Sequence, residues 1–121
     1  GNMIPIQLGD AFGIDLVRAN VQAAMGEKPD FLAEKANILP GYRLHYVLHS
    51  YKAGKFNGVA IDESISKNVY RQAIYKKEGD SVEAFDGAGK ALGIVFLHFD
   101  TVEQTDHFCK NHDTLIKIIL E

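Results

Sequence analysis

The chain has 121 residues, of which 46% are apolar and 24% charged, and its formal net charge is -3. This length fits one domain with a single core, and the composition is that of an ordinary globular protein rather than a disordered or coiled-coil one. The charge is negative and the lysines are scattered, so we expect no nucleic-acid partner. No stretch approaches the roughly 20 consecutive apolar residues of a membrane span, and no signal peptide is visible.

Cys109 is the only cysteine, so a disulfide within the chain is excluded. A cysteine count this low is typical of proteins from a reducing compartment. We therefore expect residues 1–121 to form one cytoplasmic domain.

Helical patterns occupy the first part of the chain. Residues 4–11 predict a short helix with Pro5 in its first turn, and Gly13 offers a left-handed stop. Residues 14–25 predict a second helix that Gly26 ends. Its apolar residues share one face: Leu16, Val17, Val21, Ala24 and Met25. Residues 27–40 are expected to form a connection that closes with the Pro40-Gly41 turn.

The remaining pattern is mostly that of β-strands. Strands are predicted at residues 43–51, 56–61, 69–77, 82–85, 91–99 and 115–120. The segment 91–99 is the most apolar of them and is expected near the centre of a sheet. Thr101 is a candidate N-cap, with Glu103 and Gln104 near the capping-box position, for a helix reaching about Asn111. The order predicts an α+β fold with N-terminal helices, an antiparallel β meander, one C-terminal helix and a closing strand.

The glycine-rich stretch 87–93 has the appearance of a phosphate-binding loop but not its spacing. A dinucleotide-binding fingerprint would need its third glycine one residue earlier, and a helix rather than a strand would follow. A Walker loop would need a Ser or Thr after Lys90. We therefore interpret residues 86–90 as a hairpin connection between two strands.

The histidines and the cysteine are candidate metal ligands or nucleophiles. His45 and His49 lie on the same face of one predicted strand, and with His98 they would form a metal site or small active site only by converging on one point. Cys109 and His112 share a helix face, but no third orienting group accompanies them, so a structural cysteine is favoured. The residues by themselves predict no catalytic residue and no metal site.

The opening segments resemble a particular region of ATP-grasp ligases. Residues 1–8, 12–19 and 25–26 are similar to the segment that directly follows the metal-binding motif of that superfamily, where a glycine turn leads into two helices. The later pieces resemble the C-terminal region of the branch that contains carboxylate–amine ligases, biotin carboxylase and carbamoyl-phosphate synthase. These pieces are residues 53–56, 76–82, 92–97 and 99–103.

The resemblance implies that the chain is the C-terminal subdomain of a longer protein. ATP-grasp enzymes use ATP and magnesium to activate a carboxylate as an acyl phosphate, which then passes to an amine, a thiol or a similar nucleophile. The residues that hold the metal and the phosphates would lie upstream of Gly1. This subdomain alone would thus be inactive and bind no cofactor, while ATP and magnesium would belong to the parent protein.

The resemblance also suggests a site and a partner. The backbone of Gly1 and Asn2 would line the substrate or phosphate edge of the parent's site, although Asn2 is equally suited to cap the first helix. The partner would be the missing ATP-grasp core, which would cover an apolar patch, and two copies could dimerise through the same patch. The patch residues are Ile4, Ile6, Leu8 and Phe12. The alternative is a stand-alone small-ligand or protein-interaction module, which should cover these residues itself.

Overall fold

The computed structural model describes residues 3–33 and 37–121. The helices are α1 (Met3–Phe12), α2 (Leu16–Ala24), α3 (Glu63–Ser66) and α4 (Val102–Leu115). The strands are β1 (Tyr42–Leu48), β2 (Gly54–Ile61), β3 (Val69–Ile74), β4 (Ser81–Val82), β5 (Gly93–Phe99) and β6 (Ile116–Leu120). Short 3-10 helices lie at Asp30–Ala33 and Ala88–Lys90. The α+β class is confirmed, whereas α3 and the 3-10 helices were not predicted.

The strands form two three-stranded antiparallel sheets. The first has the order β1-β5-β3 and the second the order β4-β2-β6. The antiparallel pairing was predicted correctly. The predicted meander is wrong, because a meander pairs consecutive strands, whereas here β1 pairs with β5 and β2 with β6. The hairpin expected at residues 86–90 is also wrong, since β4 and β5 belong to different sheets.

The physical reason for this pairing is the burial of β5. Nearly all of its residues are buried, so it needs a partner strand on each edge and a covering layer on each face. Its central position in the first sheet, predicted from its apolar run, is confirmed.

The core lies where the two sheets and α4 meet. Both sheets contribute to it, as do α3 and α4. Its buried residues are Leu48, Phe56, Ile65, Val82, Leu92, Val95, Leu97, Phe99, Phe108, Leu115 and Ile116. Leu48, Leu92, Val95 and Leu97 are the most completely enclosed. Strand alternation produces this arrangement, because every second residue of β1 and β5 points inward.

Local signals set the helix ends. Thr101 caps α4 in a full capping box, with its side chain accepting from the Gln104 N–H and the Gln104 side chain accepting from the Thr101 N–H. Asn111, the predicted end, is where α4 breaks from helical geometry, and a final turn then continues to Leu115. Gly13 and Gly26 have the left-handed conformation expected of them. Within the described ranges, no helix has the length and apolar character needed to cross a membrane.

We expect Leu97→Ala to lower the free energy of unfolding by about 2–5 kcal/mol, because it removes a fully enclosed side chain from the centre of the core. Urea denaturation would measure the change. Ile119→Ala on β6 is the control, since that side chain is 41% exposed and its loss should cost less than about 1 kcal/mol. Equal losses for the two variants would contradict this placement of the core.

Candidate functional site

The outer face of the first sheet, which points away from the core, has polar side chains and is crossed by α1. On this face Arg43 of β1 is paired with His98 of β5, and His45 with Phe96. Gln7 of α1 donates from Nε2 to the Arg43 carbonyl oxygen at 3.0 Å, and its Oε1 accepts a hydrogen bond from His45 Nδ1. One glutamine therefore joins α1 to both the backbone and a side chain of β1.

A second contact fixes α1 to the opposite edge of the same sheet. The Tyr70 hydroxyl donates to Asp10 Oδ2 at 2.8 Å. The Arg43 guanidinium lies over the Tyr70 ring, with its carbon 5.4 Å from the ring centre. Burial is the main cause that raises the pKa of Tyr70, and the Asp10 carboxylate adds to the increase while Arg43 opposes it. The phenol is therefore a stable donor between a carboxylate and a guanidinium.

The three histidines considered as metal ligands have separate partners. His45 contacts Gln7, His49 Nδ1 donates to the Val47 carbonyl at 2.8 Å, and His98 Nε2 donates to the Pro40 carbonyl at 3.0 Å. Among residues 3–33 and 37–121, no three His, Cys, Asp or Glu side chains come together to hold a metal ion. The histidine-based enzyme required convergence of these side chains, and the structure does not supply it.

Cys109 and His112 do not form a reactive pair. Cys109 is exposed on α4, so its side chain lies outside the core. His112 Nδ1 instead hydrogen-bonds the Tyr46 hydroxyl at 3.1 Å. The pKa of Tyr46 is raised, first by burial and then by the negative charge of Asp113.

The glycine-rich stretch 87–93 forms a 3-10 turn that leads into β5. Lys90 forms an ion pair with Asp86 at this turn, with Lys90 Nζ donating to Asp86 Oδ2 at 3.0 Å. A strand follows this stretch, as predicted, rather than the helix that follows a phosphate loop.

A groove opens at one end of the outer face. It is lined by Arg43, Lys67, Asn68, Tyr70, His98 and Asp100. Asn68 forms one wall, because its Nδ2 donates to the His98 carbonyl at 2.9 Å and its carbonyl accepts from the His98 N–H at 2.9 Å. The Pro40-Gly41 turn holds the His98 ring from the other side through the hydrogen bond to Pro40.

Gly41 allows this close approach of the turn to His98. Its φ is +93°, and an added Cβ would overlap His98 Nε2 and lie 2.9 Å from the Phe99 carbonyl oxygen. The Pro40-Gly41 turn predicted from sequence thus has a specific role, which is to hold the histidine ring at the groove.

Gly1 and Asn2, the residues expected at the edge of the parent's site, lie outside the described residues. The four residues of the predicted apolar patch differ in their solvent exposure. Ile4 is 63% exposed and Leu8 39% exposed, whereas Ile6 and Phe12 are half-buried. Half of the predicted apolar patch is therefore on the surface.

A larger apolar surface lies on α2. Val17 and Val21 of α2 and Met25, which caps its C-terminal end, are spaced four residues apart and are 51%, 55% and 69% exposed. Ala19, on the other side of the helix, is buried. This helix thus turns much of its predicted apolar face to solvent, and we call Val17, Val21 and Met25 the α2 stripe.

Solved structures of two enzymes share this fold. The crystal structure of phosphoribosylglycinamide synthetase from Anaerococcus prevotii matches 99% of this chain and 31% of that one, with a TM-score of 0.72 and 18% identity. The L-amino acid ligase from Bacillus licheniformis matches 97% of this chain and 29% of its own, with a TM-score of 0.73 and 15% identity. Both are ATP-grasp ligases. The chain has the fold of part of an ATP-grasp ligase.

The resemblance inferred from the opening segments is thereby confirmed at the level of the fold. The chain spans about three tenths of the length of these two ligases. No protein-family model matches it, and no curated protein matches it by sequence.

The sequence reasoning missed the group formed by Asp10, Arg43 and Tyr70. A signal for it was present in α1, where Gln7 and Asp10 are the polar side chains of an otherwise apolar helix and lie three residues apart. Residues with this spacing lie on the same face of a helix, so together they indicate a polar surface beneath it.

We expect Gly41→Ala to destabilise the protein more than Gly79→Ala. Both glycines have positive φ, of +93° and +88°, where a side chain costs about 1–2 kcal/mol. Only Gly41 adds an overlap with His98, because no atom lies within 4 Å of a Cβ at Gly79. Thermal unfolding of the two variants would compare them, and equal shifts would show that the turn does not hold the ring.

Proposed function

We propose that this chain is the C-terminal subdomain of an ATP-grasp ligase-like protein. In this proposal it has no catalytic residue of its own and completes one wall of the substrate cleft. The observation that supports it is the match of almost the entire chain to about three tenths of each of two ATP-grasp ligases. A segment that corresponds to part of such an enzyme is expected to work together with the remainder.

The exposed apolar side chains favour this proposal over a stand-alone module. A self-contained module would cover Ile4 and Leu8, and both are exposed. The α2 stripe adds a contiguous apolar surface, which on a protein commonly marks an interface. We infer that the core of the parent protein covers the α2 stripe. The patch at Ile4 and Leu8 would contact either the same core or a second copy of this chain.

The chemistry would belong to the parent protein. It would use ATP and magnesium to convert a carboxylate into an acyl phosphate and then transfer the acyl group to an amine or similar nucleophile in the cytoplasm. Gly1 and Asn2 would provide backbone groups at the substrate or phosphate edge of that site. The polar contacts of Gln7 and Asp10 would hold α1, which follows these two residues, in a fixed position on the sheet.

We expect this chain alone to show no magnesium-dependent binding of ATP. Calorimetric titration of ATP with and without magnesium would measure it, with an intact ATP-grasp ligase as the positive control. The difference between the two titrations is the readout, because an ATP-grasp site binds its nucleotide with the metal. Saturable binding that requires magnesium would contradict the proposal.

We expect Val21→Glu to abolish association with the core of the parent protein, because it puts a charge at the centre of the α2 stripe. The core would be co-expressed with the tagged chain, and co-purification would measure association. Asn20→Glu is the matched control, since it adds the same charge at an exposed position beside the stripe. Both variants should unfold close to the wild-type temperature. Undiminished co-purification of the Val21 variant would exclude the α2 stripe as the interface.

A further inference from the structure

Arg43 lies on the outer face of the first sheet, next to the groove. It is half-buried on β1, yet no carboxylate in the described residues forms a salt bridge with it. The ion pairs found there involve Arg18 with Asp30 and Lys90 with Asp86. Apart from its interaction with Tyr70, the Arg43 guanidinium therefore has N–H donors that no carboxylate of the described residues occupies.

The position of Arg43 is fixed before any ligand arrives. Its guanidinium lies over the Tyr70 ring, and the Tyr70 hydroxyl is held by Asp10 at 2.8 Å. Its backbone is held in β1 by pairing with β5 and by Gln7, which donates to its carbonyl oxygen. Less conformational entropy is lost when an arginine prepared in this way binds a ligand.

The groove beside Arg43 has a surplus of positive charge. Lys67 and Arg43 line it together with His98, and Asp100 is the one carboxylate among the lining residues that the structure describes. His98 donates from Nε2 to the Pro40 carbonyl, which fixes its ring at the groove. The groove encloses about 450 Å³, which is within the range of small-molecule sites.

We propose that this groove binds a small oxyanion, such as the phosphate of a monoester or a carboxylate. Arg43 provides a planar pair of N–H donors, which matches two oxygens of such a group. Lys67, an exposed residue of the lining, adds a second positive charge, and the Asp100 carboxylate weakens the attraction for ligands that carry several negative charges. This proposal uses none of the α2 stripe residues and does not depend on the proposed function.

The test is a titration of the isotopically labelled chain with inorganic phosphate, followed by the backbone amide resonances. Acetate forms a second arm that distinguishes a phosphate from a carboxylate ligand, and sodium chloride at matched ionic strength gives the nonspecific response. We expect saturable shifts at Arg43, Lys67 and His98 with a dissociation constant on the order of 1 mM. We expect phosphate to bind without magnesium, so a positive result is distinguishable from magnesium-dependent nucleotide binding by an ATP-grasp site.

The control is a second arginine on the same sheet. Arg71 of β3 lies over the Phe96 ring at 5.7 Å but lines other depressions of the surface. We expect Arg43→Gln to weaken phosphate binding at least about tenfold and Arg71→Gln to leave it unchanged. Lys67→Gln, at an exposed position, should weaken binding about threefold and provides a test even if the Arg43 variant folds poorly.

Three results would overturn the proposal. One is shifts that sodium chloride reproduces at the same ionic strength. Another is equal weakening by the Arg43 and Arg71 variants, which would indicate a general effect of charge. The last is unchanged phosphate affinity in both the Arg43 and Lys67 variants.

Discussion

The structure depends on the burial of β5. This strand is enclosed along nearly its whole length, so its backbone groups must be paired on both edges and its side chains covered on both faces. β1 and β3 supply the edges, and the second sheet with α4 covers the inner face through contacts of Leu97 and Phe99 with the core cluster. α1 covers the outer face, where the β5 side chains Ile94 and Phe96 are buried.

The cover on the outer face combines buried apolar side chains with polar contacts. α1 is attached there by hydrogen bonds from Gln7 and to Asp10, and it leaves one end of the sheet open. Polar attachment gives less stabilisation than apolar packing, but it fixes orientation, since each bond requires a particular partner. The groove lies on this side, whereas the inner face is mostly apolar packing with the hydrogen bond between Tyr46 and His112.

The parts of the fold that the sequence predicted are those set by local chemistry. The capping box at Thr101, the left-handed stops at Gly13 and Gly26 and the apolar run of β5 each act within a few residues. Strand pairing is not set locally, because the paired residues of β1 and β5, from Leu48 with Gly93 to Tyr42 with Phe99, are 45 to 57 positions apart in the sequence. The meander and the hairpin at residues 86–90 were therefore wrong. The groove was missed for the same reason: Arg43, Tyr70 and His98 come together only after β1, β3 and β5 have paired.

The pairing of β2 with β6 has a consequence for how the chain folds during synthesis. β2 is made early, but its partner is the last strand of this sequence, and β3, β5 and α4 are all made between them. One edge of β2 stays without its partner until β6 leaves the ribosome, and contacts so distant in sequence form slowly. An unpaired strand edge can pair with other chains. Production of this protein should therefore be more sensitive to truncations that remove residues 116–120 than to changes in the loop at residues 86–90.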